Sequence, residues 1–127
     1  MSPPETLRTE LYADPTNVFV HNAILDSCHR YADKVAIIDA SCSRRISYGE
    51  YGETVESLAG GLIAAGVKRG EVIGIFLANS WEFCAAYHAS TLAGAVPTLL
   101  NPTYREREVK HQLSNSGAVM PASAPMF

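Results

Sequence analysis

The chain has 127 residues, 47% hydrophobic, 18% charged and 9% aromatic, with a mean hydropathy of +0.02. That mixture excludes a disordered or collagen-like polymer and leaves one globular domain, or part of one. Thirteen acidic against ten basic residues give a net charge of −3, which supplies no electrostatic footprint for nucleic acid or an anionic membrane.

Residues 1–16, with Pro3, Pro4 and Pro15, read as an irregular N-terminal arm; they contain no apolar stretch of the kind that opens a secretory leader. Residues 17–127 are expected to form the folded part. Ile24, Leu25, Cys28, Tyr31 and Ala32 recur at helical spacing and predict an amphipathic helix ending near Asp33. Val35 to Asp39 is a β-branched run, Ser41 to Arg45 is turn-like, and the extended pattern resumes at Ile46, so residues 35–48 predict a β-hairpin.

Three later helices are announced by a capping residue followed three positions on by Glu, as Ser47/Glu50, Asn79/Glu82 and Thr103/Glu106. The first helix carries Tyr51, Val55, Leu58 and Leu62 on one face and ends at Gly66, where a left-handed residue is expected. Gly60 and Gly61 lie in its interior at a cost of up to about 1 kcal/mol each relative to Ala, which predicts close backbone packing against a neighbour there. After the charged turn Lys68-Arg69-Gly70-Glu71, the continuous apolar run Val72 to Leu77 predicts a strand covered on both faces. The Asn79 helix, with Trp81, Phe83, Tyr87 and Leu92 spread around it, should be deeply buried and stop at Gly94.

Val96 to Leu100 predicts a further strand with Pro97 at its start. Asn101-Pro102 turns the chain into the third capped helix, from about Tyr104 to Asn115. Ala118-Val119-Met120 opens one more strand that Pro121 and Pro125 argue against. Phe83 to Tyr104 has no charged residue, but Gly94, Pro97 and interspersed polar residues fit a buried helix and strand better than a membrane span. The order strand, helix, strand, helix, strand gives an α/β fold with βαβαβ layers on a mainly parallel sheet.

Chemistry-bearing patterns are few. Gly61 and Gly66 have the outer spacing of a phosphate loop, but Val67 stands where Lys is needed and the glycines end a helix instead of opening one. His21, His29, His88 and His111 form no metal-binding pair, and the widely spaced Cys28, Cys42 and Cys84 make neither a disulfide framework nor a paired metal or redox motif. Reduced thiols of a cytoplasmic protein are the simple reading. Cys84 reads as a small core residue, His88 as a hydrogen-bonded core or pocket-wall residue, and His111 as a surface one. The run Arg105 to Lys110 reads as a solvated helix face.

From Ile46 to Gly117 the residues resemble the N-terminal part of the AMP-forming acyl-adenylate synthetases, the superfamily of acyl-CoA synthetases, 4-coumarate:CoA ligases and beetle luciferases. The likeness rests on Ser47-Tyr48 with Glu50, Gly66-Val67 with Gly70-Glu71 before an apolar strand, and Asn79-Ser80 with Glu82-Phe83. It continues through Gly94-Ala95-Val96, Asn101-Pro102, Glu108-Val109, Gln112-Leu113 and Ser116-Gly117. The Asn101-Pro102 loop looks more like the fatty-acyl and coumarate CoA ligases than the nonribosomal adenylation domains.

The resemblance implies an incomplete part of a large N-terminal domain whose parent enzyme joins a fatty or aromatic carboxylic acid to the α-phosphate of ATP with Mg²⁺, then to coenzyme A. Fatty acid metabolism is one setting it implies. The family's phosphate loop and catalytic lysine lie downstream of the matched segment, so no catalytic, cofactor-binding or metal residue is assigned in residues 1–127, and this chain alone is not expected to be catalytic. Met120 to Phe127 departs from the family's apolar strand. Two other readings stay open: a small free-standing α/β binding module, and a truncated regulatory or non-functional product that partners a full-length relative.

Overall fold

The computed structural model describes residues 19–123. Helix α1 (Val20–Arg30) ends three residues before Asp33, in a turn where the Lys34 N–H donates to the Tyr31 carbonyl at 2.8 Å. Strands β1 (Val35–Asp39) and β2 (Arg44–Ser47) form the expected antiparallel hairpin, with Ile37 opposite Ile46. Helix α2 (Tyr48–Ala64) follows at once, and Gly66 has the left-handed φ of +94° that an αL cap requires.

The second sheet comprises β3 (Val72–Phe76), β4 (Val96–Leu99) and β5 (Ala118–Ser123), connected by α3 (Trp81–Leu92) and α4 (Glu106–Ser116). Its spatial order is β4-β3-β5 and every pairing is parallel, so the chain that leaves β4 crosses β3 before laying down β5. β3 is the central strand, with Ile73, Gly74 and Ile75 all buried. The strand after α4 forms despite Pro121, which stands opposite Gly74 on a strand with no second partner among the described residues; a missing N–H is tolerated at such an edge. Pro97 occupies the other edge strand.

Two apolar clusters hold these parts together. Ile73, Ile75 and Ala122 of the sheet pack with Leu62, Val67, Leu77, Ala86 and Ala95. Cys28, Ile46, Tyr51, Val55, Ala59, Ala85 and Ala89 join α1, the hairpin, α2 and α3. Complete burial of an Ile or Val contributes about 1.5–3 kcal/mol, which marks Ile46, Val55, Ile73 and Ile75 as the principal anchors.

Four expectations need correction. Gly60 and Gly61 are exposed and a Cβ on either would meet nothing within 4 Å; the helix packs closely at Gly52 instead, against Cys28. Helix α3 buries its small residues, Ala85, Ala86, Ala89 and Ser90, while Trp81, Phe83, Tyr87 and Leu92 are only half-buried, because small side chains let α2 approach. Cys84 is exposed rather than in the core. Of the three expected caps, only Ser47 falls where expected, its Oγ accepting the Glu50 N–H at 3.0 Å.

Ser80 caps α3 in place of Asn79, accepting the Phe83 N–H at 3.4 Å. Thr103 is drawn away from α4 because Asn101 Oδ1 accepts both its N–H and its hydroxyl, at 3.0 and 2.9 Å. Arg105 takes the cap position, and its N–H donates to the Glu108 carboxylate at 3.2 Å. The expected N-terminal arm, residues 1–16, lies outside the described residues, as does Pro125. No helix among the described residues is long and apolar enough to cross a membrane.

Candidate functional site

In an open α/β sheet, ligands bind beyond the carboxyl ends of the strands, where the loops into the next helices leave a crevice. Here that end carries an open cleft of about 500 Å³. Leu77, Asn79 and Phe83 line it after β3, and Leu99 to Thr103 line it after β4. Buried Leu77 and Leu100 form the apolar floor, and the Leu100 N–H is tied to the Ile75 carbonyl at 2.9 Å. The second wall is fixed from behind: Gln112 Nε2 of α4 donates to Thr98 Oγ1 at 3.0 Å and to the Leu99 carbonyl at 2.9 Å.

Asn101 Oδ1 accepts from Thr103, and its amide N–H groups make no hydrogen bond among the described residues. Asn79 makes no side-chain hydrogen bond among the described residues. The cleft therefore offers apolar walls and two amides, and among the described residues no ionisable side chain lines it. Such a surface can hold or position a group but supplies no acid, base or nucleophile.

The titratable groups singled out in sequence lie elsewhere. His88 accepts or donates a 2.7 Å hydrogen bond between its Nδ1 and the Tyr51 hydroxyl, and its ring meets Tyr51 and Tyr87 edge-on. Burial, with His21 nearby, holds its pKa below the ordinary histidine value, as befits a packed wall residue that stays neutral. Burial likewise pushes the Tyr51 hydroxyl well up. The Cys28 thiol is raised by burial and then by Glu56, which suits an inert core residue. His111 is exposed, as is the charged face of α4, where Lys110 and Glu106 pair at 2.5 Å.

Trp81, Phe83 and Tyr87 do not converge on one surface. Trp81 lies under Arg44, whose guanidinium is 5.1 Å from its ring, whereas Phe83 lines the strand-end cleft and Tyr87 a cleft at the other end of the sheet. The turn of about 100° per residue points Trp81 away from Phe83, and Tyr87, on the same side as Phe83, lies about 6 Å further along the axis. Among the described residues no group of three His, Cys, Asp or Glu side chains could hold a metal ion.

Comparison with known proteins gives this scaffold its relatives. The profile of the AMP-binding enzyme family matches residues 24–121, from within α1 to within β5. The chain belongs to that family. Among curated proteins it is 39% identical over 95 residues to triostin synthetase I of Streptomyces triostinicus, covering 74% of this chain and 18% of that protein. It is 34% identical over 104 residues to 4-coumarate–CoA ligase 3 of Arabidopsis thaliana, covering 82% of this chain and again 18% of the relative.

Among solved structures the chain is similar to the N-terminal subdomain of NpsA from Klebsiella oxytoca in complex with 3-hydroxybenzoyl-AMSN. There the TM-score is 0.73 and the identity 30%, over 82% of this chain and 26% of that one. The chain thus spans under a fifth of the length of these two curated relatives. CoA ligases and adenylation domains are both among its relatives.

The strand-end cleft was the feature that sequence reasoning missed. Its residues fall in the loops after two runs already read as strands, and the carboxyl-end rule alone would have named Leu77 to Asn79 and Leu100 to Thr103.

Proposed function

We propose that the chain is the N-terminal segment of an ATP-dependent carboxylate:CoA ligase, and that it acts as scaffold and wall rather than as catalytic centre. The observation that carries this reading is the continuous family match over residues 24–121, joined to a strand-end cleft lined, among the described residues, by no ionisable side chain. In the parent enzyme a fatty or aromatic acid would be activated by ATP with Mg²⁺ and passed to coenzyme A. That the contacts to ATP and Mg²⁺ belong to the rest of the parent enzyme is supported by the glycines of the described residues, none of which forms a glycine-rich loop opening a helix. Its partner is accordingly the remainder of such an enzyme, or a full-length relative, and its expected compartment is the cytoplasm.

Adenylate formation depends on preorganised donors aimed at the charge that develops on phosphorus. The purified chain should therefore give no carboxylate-dependent exchange of pyrophosphate into ATP. The test assays the chain with aliphatic and aromatic acids, alone and with the rest of a relative's adenylating domain added in trans. Restored exchange in the mixture supports the reading, and turnover by the chain alone overturns it.

A further inference from the structure

We propose a second ligand site, at the opposite end of the sheet from the Asn101 cleft, for a small amphipathic carboxylate. A cleft of about 550 Å³ opens where the chain enters β4, walled by Phe19, Tyr87, Leu92 and Ala95 and bordered by Arg69 and His21. The root of Arg69 is held in place by the turn that carries it. Gly70, with a φ of +84°, donates its N–H to the Gly94 carbonyl at 2.8 Å, and the Glu71 N–H donates to the Lys68 carbonyl at 3.1 Å. Gly94, with a φ of +82°, presents its bare Cα to the Arg69 stem, whose Cγ lies 3.4 Å from where a Cβ would stand.

Two left-handed glycines therefore fix the stem that carries the Arg69 guanidinium beside an apolar cleft. That guanidinium has no ion pair or hydrogen bond among the described residues, in contrast to Arg44, which is paired with Glu50 at 2.5 Å. Among the described residues no carboxylate side chain lines the cleft. A fork of N–H donors beside aromatic and aliphatic walls matches a carboxylate head joined to a short apolar body, with His21 as a second donor. The site shares no residue with the strand-end cleft, so it stands or falls separately from the ligase reading.

The test is a titration of the ¹⁵N-labelled full chain with octanoate, using octanol as the uncharged control. Octanoate should move the amides of Thr91, Gly94 and Ala95 saturably, with octanol at least about tenfold weaker. Arg69→Gln should weaken octanoate by about tenfold, and Arg69→Lys should recover part of that loss, both without a change in melting temperature. Equal affinity for octanol, full affinity in Arg69→Gln, or shifts centred on Leu100 to Thr103 would each overturn the proposal.

Discussion

Replacing Gly52 by Ala puts a methyl group into the close contact between α1 and α2. A Cβ at that position would lie 2.8 Å from Cys28 Cβ and 3.4 Å from its Sγ, and Cys28 is buried. Because Cys28 Cβ is attached directly to the α1 backbone, no change of rotamer relieves the clash, and one helix must move. Overpacking of this kind costs about 1–3 kcal/mol, against a gain in helix propensity of about 1 kcal/mol. Gly60 lies on the same helix, exposed and with nothing within 4 Å, so Gly60→Ala keeps the propensity gain and has no clash.

The propensity gain cancels between the two variants, and their difference of about 1–3 kcal/mol isolates the packing cost. Urea denaturation of both proteins measures it, with Gly60→Ala expected above wild type and Gly52→Ala below Gly60→Ala. Cys28→Ala retains the offending Cβ and should not rescue Gly52→Ala. Equal stability of the two glycine variants would refute the packing argument.

Tyr51→Phe removes the partner of His88 Nδ1 in a half-buried site and should cost about 1–2 kcal/mol in the same denaturation assay. His88 titrates below its ordinary value of 6.5 in the folded chain, so the unfolded chain binds the extra proton first. Stability should therefore be complete above pH 6.5, fall as the pH drops below it and level off below the folded pKa, and His88→Gln should flatten that limb of the profile. Ile38, Val96 and Val119 are each more than half exposed, so the isolated chain should self-associate with rising concentration in sedimentation velocity. Pro97 and Pro121 on the two outer strands should keep that association from growing as a continuous sheet, so an amyloid dye should stay dark.

Local signals in the sequence carried the elements well, and their failures have a common cause. The hairpin, the three later helices and the parallel strands at 72–76 and 96–99 follow from periodicity and turn residues, and each of those helices begins within two residues of Tyr48, Ser80 or Tyr104. What failed depended on which distant residue arrives where. Gly60 and Gly52 look alike along the chain, and only the approach of Cys28 makes one of them a contact. Cys84 sits in an uncharged stretch, yet α3 turns it outward because Ala85, Ala86 and Ala89 take the inner positions. Asn101 diverted Thr103 from its capping role through a bond two residues long, a competition that a spacing rule does not weigh.

Gly74 shows how far such a distant contact decides the fold. A glycine inside a strand loses side-chain packing and chain entropy, and by strand propensity alone the run Val72 to Phe76 favours a branched residue there. In the folded chain a Cβ on Gly74 would collide with Leu113 Cδ2 of α4 and stand 3.1 Å from Leu100 Cδ1. The missing side chain is thus the recess into which α4 sets its leucine. Ile73 and Ile75, on the opposite face, pack with Leu62 of α2 and Ala86 of α3. One small residue on the central strand therefore lets α4 lie on one face while α2 and α3 cover the other. That arrangement allows the chain to cross from β4 over β3 to β5, and it brings Gln112 within reach of Thr98 and Leu99 at the wall of the strand-end cleft. Filling the recess with Val should loosen α4 and that wall together, so Gly74→Val should speed amide exchange in Glu106–Ser116 and at Leu100 and leave α1 and the hairpin protected. Uniform loss of protection across the chain would show instead that the recess supports the whole domain.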